Sequence, residues 1–328
     1  MFLSRRLIVS CLLLAAGCFA IGLWSLQSGA VPLETGQIIA ALLGDAPRNI
    51  TLVVTEWRLP RVLMALLIGA ALGVSGAIFQ SLMRNPLGSP DVMGFNTGAW
   101  SGVLVAMVLF GQHLTATLAA MAGGIVTSLI VWLLAWRNGI ETFRLIIIGI
   151  GIRAMLVAFN TWLLLQASLE TALTAGLWNA GSLNGLTWAK TWPSAPLIIV
   201  MLTGAALLVR RMRLLEMSDD SACALGVSVE RSRLMLMLVA VSLTAAATAL
   251  AGPISFIALV APHIARRLSG TARWGLTQSA LCGALLLLAA DACAQQLFMP
   301  YQLPVGVVTV SLGGIYLIVL LIQESRKK

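Results

Sequence analysis

The sequence predicts an all-α polytopic membrane protein with about ten transmembrane helices. Hydrophobic residues make up 59% of its 328 residues and charged residues only 10%, and the mean hydropathy is +0.95. These values lie outside the range of soluble domains. Apolar runs long enough to cross a bilayer recur along the chain, and basic residues concentrate between alternate runs. We therefore interpret residues 1–328 as one transmembrane domain.

Ten apolar runs are candidate spans. They cover residues 7–26, 62–82, 94–110, 114–136, 143–166, 195–209, 234–251, 254–265, 276–298 and 305–322. The first run could pass for a signal peptide, because Leu14 to Cys18 approximates a lipoprotein cleavage site. We interpret it as a retained helix, since it is long enough to span and the rest of the chain is equally apolar. The run 254–265 is short and could be re-entrant.

The distribution of basic residues predicts the orientation. With ten spans and both termini in the cytoplasm, sixteen of the 21 lysines and arginines fall on the inner side and four on the outer side. The remaining one, Arg153, lies within a span. Removing the run 254–265 would place the basic C-terminal tail outside. The positive-inside bias therefore favours ten spans. It also explains the net charge of +9 better than nucleic-acid binding does, because no basic stripe with interleaved aromatic residues is present.

The second and ninth runs carry small residues four positions apart, a spacing that lets two helix backbones approach closely. These residues are Gly69, Gly73 and Ala77 in the second run and Gly275, Ser279 and Gly283 in the ninth. We expect a closely packed bundle from this spacing, which does not by itself indicate a function.

Segment 210–233 is far more polar than its surroundings, with five arginines and four acids. Unpaired charge is costly in hydrocarbon, so this segment must face water. Its middle predicts one short helix, because two acids suit the positive N-terminal end, alanines favour the helix and a glycine can end it. The residues concerned are Asp219, Asp220, Ala222, Ala224, Leu225 and Gly226. The segment is either a short rigid handle or an ordinary cytoplasmic loop.

Two ionisable residues, Arg153 and Asp291, lie within predicted spans. Each costs roughly 2.5 to 3.5 kcal/mol to insert unless it is paired or faces water. One interpretation is a structural pair that links the two helices; the other is that Arg153 faces a pathway for an anionic substrate. Proton coupling through Asp291, which a secondary transporter would need, is a weaker third option because no chain of further acids accompanies it.

The motifs that would indicate an enzyme are missing from the sequence. There is no G-x-x-x-x-G-K-[ST] loop to bind nucleotide phosphates, and no C-x-x-C or Cys/His cluster to bind a metal. We therefore predict a chain that has no catalytic residues and no metal or cofactor of its own.

Four motifs resemble, in order, those of the ten-helix permeases of bacterial iron-siderophore, haem and cobalamin ABC importers. They are RLPR at 58–61, NPLGSPDVMG at 85–94, AGPISFIALVAPH at 251–263 and LPVGVVT at 303–309. The resemblance covers essentially the whole chain and implies a type II ABC importer permease fold in the bacterial inner membrane. It is similar in particular to permeases for ferric enterobactin. Haem, cobalamin or another chelate is an alternative cargo, and a proton-coupled secondary transporter is the alternative class.

The resemblance also implies partners. They are a related second permease subunit that completes a heterodimer, two copies of a cytoplasmic ATPase subunit that bind ATP and Mg²⁺, and a periplasmic siderophore-binding protein. Membrane lipid surrounds the assembly. Residues 219–226 would be the coupling helix that sits in a cleft of the ATPase, and Arg58 and Arg61 would pair with carboxylates on the lobes of the binding protein.

Three residues depart from the family pattern. Gln295 and Gln302 stand where relatives often carry Arg and Glu, and Ile315 stands where many carry Pro. The resemblance then implies that part of the docking set is missing or supplied by the sister subunit. We expect this subunit to contact only one lobe of the binding protein.

Overall fold

The computed structural model describes residues 5–29, 31–91, 93–110, 116–136, 142–192, 194–270, 274–297 and 301–325. Within these ranges the chain is built of helices and contains no β-strand. The helices are α1 (Arg5–Gln27), α2 (Thr35–Leu43), α3 (Arg48–Leu52), a π-helix (Val53–Arg58), α4 (Leu59–Met83), α5 (Phe95–Leu109), α6 (Ala116–Ala135), α7 (Thr142–Gln166), α8 (Leu169–Asn179), α9 (Trp188–Thr191), α10 (Ala195–Leu215), α11 (Asp219–Ala224), α12 (Val229–Ala251), α13 (Ile257–Ser269), α14 (Leu276–Gln296) and α15 (Val305–Ser325).

A helix overlies each of the ten predicted spans. In the described part of the chain, seven helices are long and apolar enough to cross a membrane: α1, the continuous stretch Arg48–Met83, α6, α7, α10, α12 and α14. Two apolar helices are shorter, α5 and the Val305–Leu320 part of α15, and α13 has 13 residues. The all-helical membrane fold is confirmed. Ten crossings and cytoplasmic termini stay predictions.

Helices α4 and α14 form the centre of the bundle and pack backbone to backbone. A Cβ added at Gly69 would lie 2.4 Å from the carbonyl oxygen of Gly283, and one at Gly73 would lie 2.1 Å from that of Ser279. Only glycine permits this approach. The small-residue spacing therefore predicted close packing correctly. Gly275 is the exception, because it precedes α14 as its N-cap residue.

Two irregular segments interrupt the bundle. Residues 85–91, 93 and 94 lie between α4 and α5, and Gly252 to Phe256 connect α12 to α13. A Cβ added at Gly94 would lie 3.0 Å from the Cβ of Arg153, which is in the middle of α7. The first segment therefore reaches half the height of α7 before α5 begins. Non-helical backbone at such a depth is tolerated where it is buried in protein or lines a water-filled cavity.

Candidate functional site: a polar cavity and an anchored surface helix

A cavity of about 570 Å³ opens where the two irregular segments meet α7 and α15. Its wall carries unusually many polar side chains for a hydrophobic protein. They are Asp91, Asn96, Thr97, Arg153, Asn160, Thr161, Asn179, Ser255 and Ser311. Polar groups and irregular backbone occur together here, which fits a wet cavity and not a packed core.

Arg153 lines this cavity and its side chain is exposed, while its role in a pathway for an anionic substrate stays a prediction. Sequence analysis missed its electrostatic partner. The Asp91 carboxylate interacts with the charge of Arg153 and also accepts a hydrogen bond from the backbone N–H of Phe256. Asn96 donates to Asp91, and Thr248 donates to the amide oxygen of Asn96 at 2.9 Å. The positive charge in the cavity is therefore accompanied by a fixed negative one.

The predicted short helix in segment 210–233 is confirmed as α11. Ser218 caps its N-terminus by accepting a hydrogen bond from the backbone N–H of Ser221 at 3.0 Å. Leu225 is the C-cap residue, and Gly226 follows with φ of +78°. Ala222 is fully buried against the bundle, whereas the outward surface is formed by Asp220, Cys223, Ala224, Leu225 and Gly226.

Asp219 fixes α11 to the rest of the bundle. Its carboxylate accepts from Arg84 at the end of α4, at 2.8 Å, and from Arg233 in α12, at 2.9 and 3.0 Å. Arg84 also donates to the carbonyl oxygen of Leu215 at 2.8 Å. The two acids at the start of α11 thus differ: Asp219 is an anchor, and Asp220 points away from the bundle. A rigidly held short helix of this kind can transmit force.

The outer arginines are both engaged within the chain. Arg58 donates to three backbone carbonyl oxygens, two in the last turn of α1, those of Leu26 at 2.7 Å and Gln27 at 3.2 Å, and one after it, that of Val31 at 2.5 Å. These bonds fasten the end of α1 to the start of α4. Arg58 remains half-exposed, so a partner can still reach it.

Arg61 forms a two-pronged ion pair with Asp291, with N–O distances of 2.9 and 2.8 Å. The interpretation that paired Asp291 with Arg153 is therefore wrong. Two of the three family departures belong to the same network: Gln295 donates to Asp291 at 2.8 Å, and Gln302 accepts from Arg61 at 3.4 Å. Asp291, with a 3% exposed side chain, thus has an arginine and not a further acid as its charged partner.

Comparison with known proteins agrees with this geometry. A model of the FecCD transport family matches residues 14–323. The ferric enterobactin transport system permease protein FepG of Escherichia coli (strain K12) is 86% identical over 328 residues, which are 100% of this chain and 99% of that protein. The achromobactin transport system permease protein CbrC of Dickeya dadantii (strain 3937) is 37% identical over 306 residues, 92% of this chain and 88% of that protein.

The fold agrees as well. A solved structure assigned to the metal-chelate type of ABC transporters, in an inward-facing conformation, matches with a TM-score of 0.85 and 26% identity. The match covers 95% of this chain and 98% of that one. Fold, cavity and anchored surface helix together define a multi-pass permease of an ABC importer. The chain belongs to the FecCD transport family. A permease of this class works with a partner permease and an ATPase.

Proposed function

We propose that this chain is a permease subunit that carries ferric enterobactin, a ferric catecholate siderophore, across the bacterial inner membrane. The supporting observation is the 86% identity to a ferric enterobactin permease, maintained over the full length of the chain. On this proposal residues 1–328 act as one permease domain, and the chain catalyses no reaction itself. ATP and Mg²⁺ bind to two copies of a separate ATPase subunit, and a related second permease completes the pathway.

Coupling to the ATPase passes through α11. Asp219 ties this helix to α4 and α12, so a push on its exposed surface moves two spanning helices together. The residues that we assign to the contact are Asp219, Asp220, Ala222, Ala224, Leu225 and Gly226, with Asp219 and Ala222 supporting the helix from within.

Docking of the periplasmic siderophore-binding protein uses Arg58 and Arg61. Both lie at the end of the bundle opposite α11, next to the exposed Trp57. Because both already have partners, a carboxylate of the binding protein would have to share or displace them. Such an exchange gives salt-sensitive recognition with little change in buried charge.

Translocation uses the cavity beside Arg153. A ferric catecholate is a bulky trianion, and a positive side chain on its path offsets part of its desolvation. Replacing Arg153 with Gln or Met is expected to reduce uptake while the assembled complex is retained. Unchanged uptake in both variants would refute a role for Arg153 in the pathway.

The function is tested by reconstituting this chain with its partner permease, ATPase and binding protein in liposomes and measuring uptake of iron-labelled enterobactin. Uptake should require both ATP inside and the binding protein outside. The matched control replaces the phosphate-binding lysine of the ATPase. Uptake by this chain alone, driven by a proton gradient, would overturn the proposal in favour of a secondary transporter. Preferential uptake of haem or cobalamin would overturn only the assignment of ferric enterobactin as the cargo.

A further inference from the structure

The side chain of Asn160 in α7 is a buried amide without a hydrogen-bond partner. The residue is 4% exposed, and neither its amide nitrogen nor its amide oxygen has a hydrogen-bond partner in the structure. Both atoms are closed off from bulk solvent in this conformation. A buried amide without partners is destabilising, and such groups in native proteins call for an explanation.

The position of Asn160 suggests an explanation for its unsatisfied amide. It lines the same cavity as Arg153. Other buried polar atoms in the described part of the chain also lack partners, in Ser25, Gln80, Trp132, Ser194, Ser232 and Ser279, but none of those residues lines this cavity. Asn96, the other buried asparagine of the wall, is satisfied by Asp91 and Thr248. Among the described residues that line this cavity, Asn160 is thus the one with buried polar atoms that lack hydrogen-bond partners.

Helical geometry places Asn160 on the same face of α7 as Arg153. Seven residues are nearly two turns, so the two side chains share one face of α7, separated by about 10 Å along the helix axis. Val157, Thr161 and Leu164 complete the face, and all of them line the cavity. A solute that moves along α7 therefore passes a charged group and then the residue that carries the neutral amide.

We propose that Asn160 binds the cargo, exchanging hydrogen bonds with the uncharged polar groups of a chelate while Arg153 interacts with its charge. An amide both donates and accepts, so it suits a ligand that carries carbonyl oxygens and N–H or hydroxyl groups beside its metal-binding oxygens. The side chain reaches such a ligand by a change of rotamer toward the cavity that it already lines. This inference rests on the proposed function and adds a specificity-determining residue to it, since a site built to hydrogen-bond a group disfavours an analogue without it.

The test replaces Asn160 with Leu, which keeps the approximate size and removes the amide. In the reconstituted complex, uptake of iron-labelled enterobactin at subsaturating concentration should fall about 2- to 10-fold, as expected for losing one hydrogen bond to the moving ligand. The ATPase rate without binding protein should not change. The midpoint of thermal unfolding should stay equal or rise, because the variant no longer buries an unsatisfied amide.

Thr203→Val is the matched control, because it also removes a polar group from a spanning helix but lies away from the cavity, exposed on α10. It should leave uptake unchanged. Wild-type uptake in Asn160→Leu would overturn the inference, and so would a loss of uptake that accompanies a loss of thermal stability, since that marks a structural role. Failure of the proposed function looks different: the wild-type complex itself would then show no uptake that depends on ATP and the binding protein.

Discussion

The ion pair between Arg61 and Asp291 permits a prediction that separates structure from docking. The pair joins α4 to α14 at the outer end of their contact, and the side chains are 14% and 3% exposed. Replacing Asp291 with Leu leaves the Arg61 guanidinium mostly buried with only the distant Gln302 oxygen, at 3.4 Å. Breaking a buried pair in this way destabilises a protein by about 3 to 5 kcal/mol.

The matched control is the double variant Arg61→Met with Asp291→Leu. It removes both charges and fills the space with apolar side chains of similar length, a change that is often neutral or stabilising. Gln295 loses its acceptor on Asp291 and Gln302 loses its donor on Arg61, and because Gln295 is half-exposed and Gln302 is exposed, both side chains can turn to water at little cost. We therefore expect the double variant to recover most of the stability that the single variant loses.

The free energy of unfolding is measured by titrating the purified protein with SDS, and uptake of ferric enterobactin is measured in the same variants. If Arg61 also docks the binding protein, the double variant is stable but takes up less chelate than the wild type at low ionic strength, and this deficit shrinks as salt screens docking in the wild type. Full uptake in a stable double variant would refute docking by Arg61. A single variant as stable as the wild type would refute the structural reasoning.

Three further perturbations follow from named contacts. Asp220→Arg, on the exposed side of α11, should lower ATP-dependent uptake by about tenfold or more without changing the unfolding free energy, because reversing a charge at an interface costs over about 1.4 kcal/mol. Gly73→Ala should destabilise the protein by about 1 to 3 kcal/mol, since its Cβ would meet the carbonyl oxygen of Ser279 at 2.1 Å, whereas Gly314→Ala, with open space, should not. Exposed Cys223 should react with an impermeant thiol reagent in inside-out vesicles only; labelling from outside intact spheroplasts would reverse the predicted topology.

The elements that the sequence predicted well are those governed by local patterns. Apolar runs indicate membrane spans because a segment in lipid must satisfy its backbone hydrogen bonds internally, as a helix does. The start and stop of α11 could be predicted because a polar residue caps one end and Gly226 allows a positive φ at the other. Small residues four apart in α4 and α14 predicted close approach, since spacing along one helix face is itself a local property.

The pairing of side chains between helices could not be predicted in the same way. Asp291 lies 230 positions after Arg61, and periodicity does not say which helices become neighbours. Sequence reasoning considered Arg153 as the partner of Asp291 because both carry charge within spans, which is a statement about composition and not about contact. Asn160 was missed although it, too, is a polar side chain within a predicted span, a signal that was available.

Asp91 changes how the cavity can handle an anion. A lone Arg153 would hold a trianionic chelate strongly, and transport requires binding that is favourable enough for entry and weak enough for release. With Asp91 fixed nearby by Asn96 and the backbone of Phe256, an arriving anion competes with a carboxylate that is already present. On the proposed function, the arginine has a carboxylate neighbour in the described conformation, which offsets part of the cost of leaving its charge uncompensated between cargo molecules. A charge-compensated site of this kind favours passage over storage, as a permease needs.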